Sequence, residues 1–186
     1  MEMILDDLPR IWDGTTRNMD SKDTRLHWSE ESLKFWIVER VLRERGYERM
    51  MTQLNASLTP DVFKEVLAIN VAKFRAAYPK DIHLDIVAFK AEDREDVDTW
   101  DLSNPFEFAA EVKYAKTGNR VTQTWIPSLI KDMDRLLLLE RYEGSKEVAM
   151  FVAADPEEIS GKVRREISSS LDSYEKMGLR IMRHGC

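Results

Sequence analysis

Cysteine is nearly absent: Cys186 stands alone among 186 residues. A single thiol excludes an internal disulfide and fits a reducing compartment, so a cytoplasmic protein is expected. There is no CxxC pair and the three histidines stand far apart, which argues against a structural zinc site. No uncharged apolar run approaches the ~18 residues that a membrane span needs. The amino end, MEMILDDLPR, is acidic where a secretory signal would be basic. Glycine is sparse, at seven residues, and neither a GxGxxG nor a Walker-type phosphate loop occurs. An excess of cations is missing too. Asp and Glu outnumber Lys and Arg 34 to 28, for a net charge of −6. That weighs against a protein that coats nucleic acid by bulk attraction, while leaving room for a local basic surface. The stretch from Lys162 onward is net basic and KAEDREDVDTWD (90–101) gathers acids; both read as solvated surface.

What the chain does have is apolar mass, 43% hydrophobic with five Trp, seven Phe and five Tyr, enough for one sizeable core. Residues 1–28 hold Gly14, threonines and many charges without a steady period, and are expected to be a partly ordered lead-in segment. A single domain is expected over 29–186. Ser29 is a good N-cap, with Glu30 and Glu31 behind it, and opens a helix that stops at Gly46. YERMMTQL (47–54) reads weakly as a strand, and DVFKEVLAINVAKFRAA (61–77) as a second helix.

Two alternating runs follow. In DIHLDIVAF (81–89), Ile82, Leu84, Ile86 and Ala88 share one face, and His83, Asp85, Val87 and Phe89 the other. In FEFAAEVKY (106–114), Glu107, Ala109, Glu111 and Lys113 lie opposite the apolar set. Strands adjacent in sequence usually pair antiparallel. A helix is then expected from Pro127, and the apolar run VAMFVAA (148–154) predicts a strand covered on both faces. Asp155-Pro156-Glu157-Glu158 resembles a helix start, running to Lys176 and closing at Gly178 before a last strand, LRIM (179–182). The fold class is therefore α/β, one mixed central sheet flanked by helices.

If the two alternating strands pair, Asp85 and Glu111 converge from neighbouring strands. Two carboxylates with a backbone carbonyl make a hard-oxygen site suited to Mg²⁺. Lys113, two residues past Glu111, projects from the same face. It can orient or deprotonate an attacking water and steady developing charge. The acid-x-Lys pattern also occurs at Asp20-Ser21-Lys22, but only Glu111-Val112-Lys113 lies in a strand beside another acid-bearing strand.

HLDIVAF followed by EVK among hydrophobics resembles the PD-(D/E)xK nuclease superfamily, the restriction-endonuclease-like fold. The likeness covers roughly residues 29–170 and rests on three or four motif residues. It implies an α-β-β-β-α-β core and a Mg²⁺-dependent endonuclease, with Mn²⁺ as a possible substitute, acting on DNA. Carried over, Asp85, Glu111 and the Val112 carbonyl ligate the metal and Lys113 assists the water. The superfamily often adds a glutamate from the first helix. Glu31 is the choice here, because it shares a helical stripe with Phe35, Val38 and Leu42; Glu30 and Glu39 are rivals. Leu84 replaces the proline that the motif carries before its aspartate. A homodimer or a place in a larger complex is compatible with such a domain.

Plainer readings stand beside these. Asp85 and Lys113 can form a simple cross-strand ion pair, and Glu31 can be a glutamate favoured by the helix dipole. His83, Lys116, Arg120 and Lys131 lie where they could touch phosphate or the site, and Trp100 and Trp125 could stack on bases, but solvated or core roles serve each as well. In function, a catalytically inactive binding or interaction module is the alternative to the nuclease. A phosphate enzyme acting on a nucleotide is a weaker third.

Overall fold

The computed structural model describes residues 4–17, 29–45, 50–58, 82–90, 108–116, 121–140, 147–155 and 157–186. In chain order its elements are α1 (Ile4–Thr16), α2 (Glu30–Arg45), β1 (Met50–Leu58), β2 (Ile82–Lys90) and β3 (Phe108–Ala115). A π-helical turn, Val121–Trp125, leads into α3 (Ile126–Glu140), followed by β4 (Val148–Ala154), α4 (Gly161–Lys176) and β5 (Arg180–His184). The expected helix over 61–77 lies outside the described residues. No helix among the described residues is long and apolar enough to cross a membrane.

The strands form one five-stranded sheet in the order β1-β2-β3-β4-β5. β1 pairs with β2, and β2 with β3, antiparallel; β3–β4 and β4–β5 are parallel. The two parallel steps need crossovers, which α3 and α4 supply. Both crossovers move the same way across the sheet, so both helices cover one face. There Leu129, Met133 and Leu136 of α3 and Val163, Ile167 and Leu171 of α4 pack on Val148, Met150 and Val152. The other face carries Phe108, Ala110, Val112 and Phe151 under α1 and α2. All seven residues of β4 are buried, as a strand covered on both sides requires.

Within the lead-in segment, expected to be partly ordered, residues 4–16 form a helix. Leu8, Ile11, Trp12 and Thr15 make a buried stripe at helical spacing, and Trp12 meets Phe151 with ring centroids 5.4 Å apart. Pro9 lies inside α1, past its first turn, and removes one interior hydrogen bond, which the buried stripe must outweigh. The helix expected at Asp155 starts instead at Gly161. Asp155 caps a turn, its Oδ1 accepting the Glu157 N–H at 2.9 Å, while Ser160 Oγ accepts from Val163 N and serves as the N-cap. The far end matches expectation: Gly178 at φ 104° closes α4, with Leu179 N–H bonded to the Tyr174 carbonyl. Lastly, Leu84 leaves the face of Ile86 and Ala88 and joins the cluster of Val87. Strict alternation fails beside Asp85, where β2 and β3 part.

Candidate metal centre

The notch where β2 and β3 part is built by a side chain. The β2–β3 ladder covers only Ile86–Ala88 against Phe108–Ala110. One step further, the Val112 N–H bonds to Asp85 Oδ2 at 2.8 Å instead of to a strand carbonyl. An antiparallel strand residue turns its N–H and C=O toward the same neighbour, so the Val112 carbonyl leaves β3 on the side of Asp85. Just past the end of the ladder the Asp85 and Glu111 side chains meet and share a hydrogen bond.

Helices close the notch from both sides. From α2, the Lys34 ammonium lies 2.8 Å from Asp85 and 2.8 Å from Glu31, with Glu30 at 3.9 Å. From α3, Asp132 meets Lys113 at 2.9 Å and Arg135 at 3.0 Å, and Arg135 stands 3.6 Å from Glu111. Glu30 closes the circuit at 4.0 Å from Lys113. Lys34, Glu111 and Asp132 are almost wholly buried, at 3%, 3% and 4% exposure. Among the described residues, three buried carboxylates (Asp85, Glu111, Asp132) face three cations (Lys34, Lys113, Arg135), and Glu30 and Glu31, with side chains 35% and 68% exposed, add two carboxylates at the solvent edge.

A buried carboxylate beside other carboxylates is costly to ionise, and protonation relieves it. Burial, then the Asp85 carboxylate and Asp132, push Glu111 up to about 10, so it is neutral at pH 7. Burial also acts upward on Asp85, but the hydrogen bonds from Glu111, Lys34 and the Val112 N–H outweigh it and hold Asp85 below its ordinary value. Glu30 is raised by burial, against the pull of Lys113. Burial would lower Lys113, yet Asp132 and Glu30 overcome it and its ammonium is held above the usual range. Lys34 behaves likewise, through Asp85 and Glu31.

Asp85, Glu111 and Lys113 therefore lie in one neighbourhood. Glu31 reaches it only through Lys34, and its side chain is 68% exposed. Phe35, one turn along from it, is 60% exposed, while Leu33 and Ile37 carry the buried face of α2. Glu30, the rival one residue earlier, is the helix glutamate that approaches Lys113. Glu39 follows Glu30 by nine positions, about 13 Å along a helix at 1.5 Å per residue. Lys116 and Lys131 are exposed, and Trp125 packs half-buried against the α3–α4 core. The His83 side chain, Trp100 and Arg120 lie outside the described residues.

Sequence reasoning passed over Lys34, Asp132 and Arg135. Their signal was a charge inside a helical apolar stripe: Lys34 between Leu33 and Ile37, and Asp132 between Leu129, Met133 and Leu136.

Among the described residues, no group of three or more His, Cys, Asp or Glu is arranged to hold a metal by itself. Mg²⁺ does not require one, since it commonly takes one or two carboxylates and keeps several waters. The donor set fits such an ion. Asp85 and Glu111 meet, the Val112 carbonyl shares their edge, and Glu111 Oε1 is buried without a hydrogen-bond partner. No family model, no curated protein and no solved structure matches the chain.

Proposed function

We propose that the chain is a metal-dependent nuclease that hydrolyses DNA phosphodiester bonds, with the restriction-endonuclease-like fold of the PD-(D/E)xK superfamily. The observation that carries this reading is the pairing of Asp85 and Glu111 at the parting of β2 and β3, in a buried cluster of three carboxylates and three cations. Among the described residues the elements run α2-β1-β2-β3-α3-β4, an order compatible with the α-β-β-β-α-β sequence of that core.

In this reading Asp85, Glu111 and the Val112 carbonyl would hold Mg²⁺, or Mn²⁺ in its place, with Glu111 releasing its proton to solvent. Such an ion would supply a water of lowered pKa, the source of the attacking hydroxide, and would offset charge on the phosphate. The Lys113 ammonium, beside Glu111 on β3, offsets the negative charge that grows on the phosphate oxygens. Glu30 takes the place first assigned to Glu31, balancing Lys113 from α2. Lys34 keeps Asp85 ionised and aimed.

One observation favours the alternative, a catalytically inactive interaction module: Lys34 already supplies Asp85 with a cation at 2.8 Å. Plasmid nicking separates the two. The nuclease converts supercoiled plasmid to open circles with Mg²⁺ or Mn²⁺, loses that activity in Lys113→Ala, and is silent in chelator. A purified, folded chain that leaves plasmid intact with both metals is the inactive module. Hydrolysis of nucleotides without nicking would point to the third reading.

A further inference from the structure

We infer that Asp132 is a positioning residue, one that holds the Lys113 ammonium beside the carboxylate pair and off it; this rests on the nuclease reading above. Lys113 stands two residues from Glu111 on the same strand face, a spacing at which a flexible lysine can fold back onto its neighbour's carboxylate. Once there it would occupy the oxygens that a metal needs. Three carboxylates compete for it, and the buried one on α3 has the shortest contact: Asp132 at 2.9 Å, against 4.0 Å for Glu30.

Asp132 does a second thing from the same place. It binds Arg135 at 3.0 Å, one turn along α3, leaving that guanidinium 3.6 Å from Glu111 and beyond a direct hydrogen bond. One buried carboxylate thus restrains both cations nearest Glu111. Helix α3 anchors the arrangement, because Leu129, Met133 and Leu136 flank Asp132 in its sequence and are all buried in the core. The aspartate cannot follow a lysine that moves.

The test uses the full chain and its Asp132→Asn and Asp132→Glu variants. Three readouts are compared: plasmid nicking, Mg²⁺ affinity by calorimetry, and the side-chain ¹⁵N resonance of the Lys113 ammonium without metal. Outer partners of metal sites typically cost 10–100-fold when removed, so Asp132→Asn is expected to lower kcat and Mg²⁺ affinity by about that much. KM for plasmid stays near its wild-type value, because binding of DNA is not what Asp132 controls. The Lys113 resonance shifts or broadens as the ammonium leaves its partner. Asp132→Glu, which restores the carboxylate, recovers most of each.

Wild-type kcat, Mg²⁺ affinity and Lys113 resonance in Asp132→Asn would overturn the inference. So would losses that Asp132→Glu leaves unrepaired in a protein with a wild-type melting curve. Failure of the parent reading looks different: the wild-type chain itself does not nick. In that event the resonance and the Mg²⁺ titration decide the positioning role alone, with the same expected and opposing results.

Discussion

Arg183 and Lys34 each lie between two carboxylates, and each has a partner at 2.8 Å, yet the two clusters differ in kind. Arg183, on β5, reaches across to Asp172 and Glu175 of α4, whose side chains are 52% and 37% exposed. Water solvates those charges with or without the pairing, and such pairs rarely contribute more than about 1 kcal/mol. Lys34 is 3% exposed, and behind it lie Asp85, Glu111 and Asp132, three carboxylates largely withdrawn from water. Distance is the same; depth is not. A surface pair is optional, whereas a buried carboxylate must find a proton, a cation or a ligand, which is why perturbed groups of this kind mark candidate sites.

Substitutions can break that contrast, beginning with the largest effect. Lys34→Met leaves Asp85 without its cation in a buried setting, and is expected to destabilise the fold by about 3–5 kcal/mol in a denaturant titration. Adding Asp85→Asn to it should recover a large part of the loss. If Lys34→Met costs no more than Arg183→Met, depth is not what separates the clusters.

Glu111→Gln sharpens the contrast through pH. The carboxyl of Glu111 rises from 4.5 to about 10 on folding, so the folded protein holds its proton more tightly than the unfolded chain. That contribution to stability is complete below pH 4.5 and is lost as pH climbs toward 10. Metal-free wild-type protein should therefore lose stability across this window by more than Glu111→Gln does. Below about pH 4.5, where the acid is protonated in both states and Gln mimics it, the two should agree within about 1 kcal/mol, and near neutral pH Glu111→Gln should already be the more stable. Parallel stability–pH curves for the two proteins would show that Glu111 is ionised in the fold.

Arg183→Ala should cost under about 1 kcal/mol, and less again in high salt, because both partners are solvated. The smallest effect concerns a thiol two residues past β5. Burial pushes Cys186 up to about 11, against the pull of the His184 backbone and of Arg183 and Arg164. Its alkylation by iodoacetamide should be slow at pH 8 and keep accelerating beyond pH 9, without change in stability. A rate that levels off near pH 8 would place the thiol in water.

Much of the scaffold was legible from residue patterns. Ser29 does cap α2, the Ser32 N–H bonding to its Oγ at 3.1 Å, and VAMFVAA is the strand buried on both faces. The apposition of Asp85 and Glu111 followed from two alternating runs close together in the chain. Illegible features share a cause: a local pattern had competitors that only packing could rank. Asp155 and Ser160 are both good caps, and the helix begins where Val163, Ile167 and Leu171 meet the sheet. Glu30 and Glu31 both fit a first helical turn, and which one faces the notch depends on the rotation of α2 about Leu33 and Ile37. Lys34 and Asp132 look like solvated charges until two helices fold over the same gap.

The central claim is that Asp85 and Glu111 form a divalent-cation site, and a calorimetric Mg²⁺ titration at pH 7 tests it most directly. The account predicts a saturable heat whose size depends on the ionisation enthalpy of the buffer, since Glu111 releases its proton as it becomes a ligand, and no such heat in Asp85→Asn. Absence of any saturable heat from folded wild-type protein, or a titration that Asp85→Asn leaves unchanged, would contradict it.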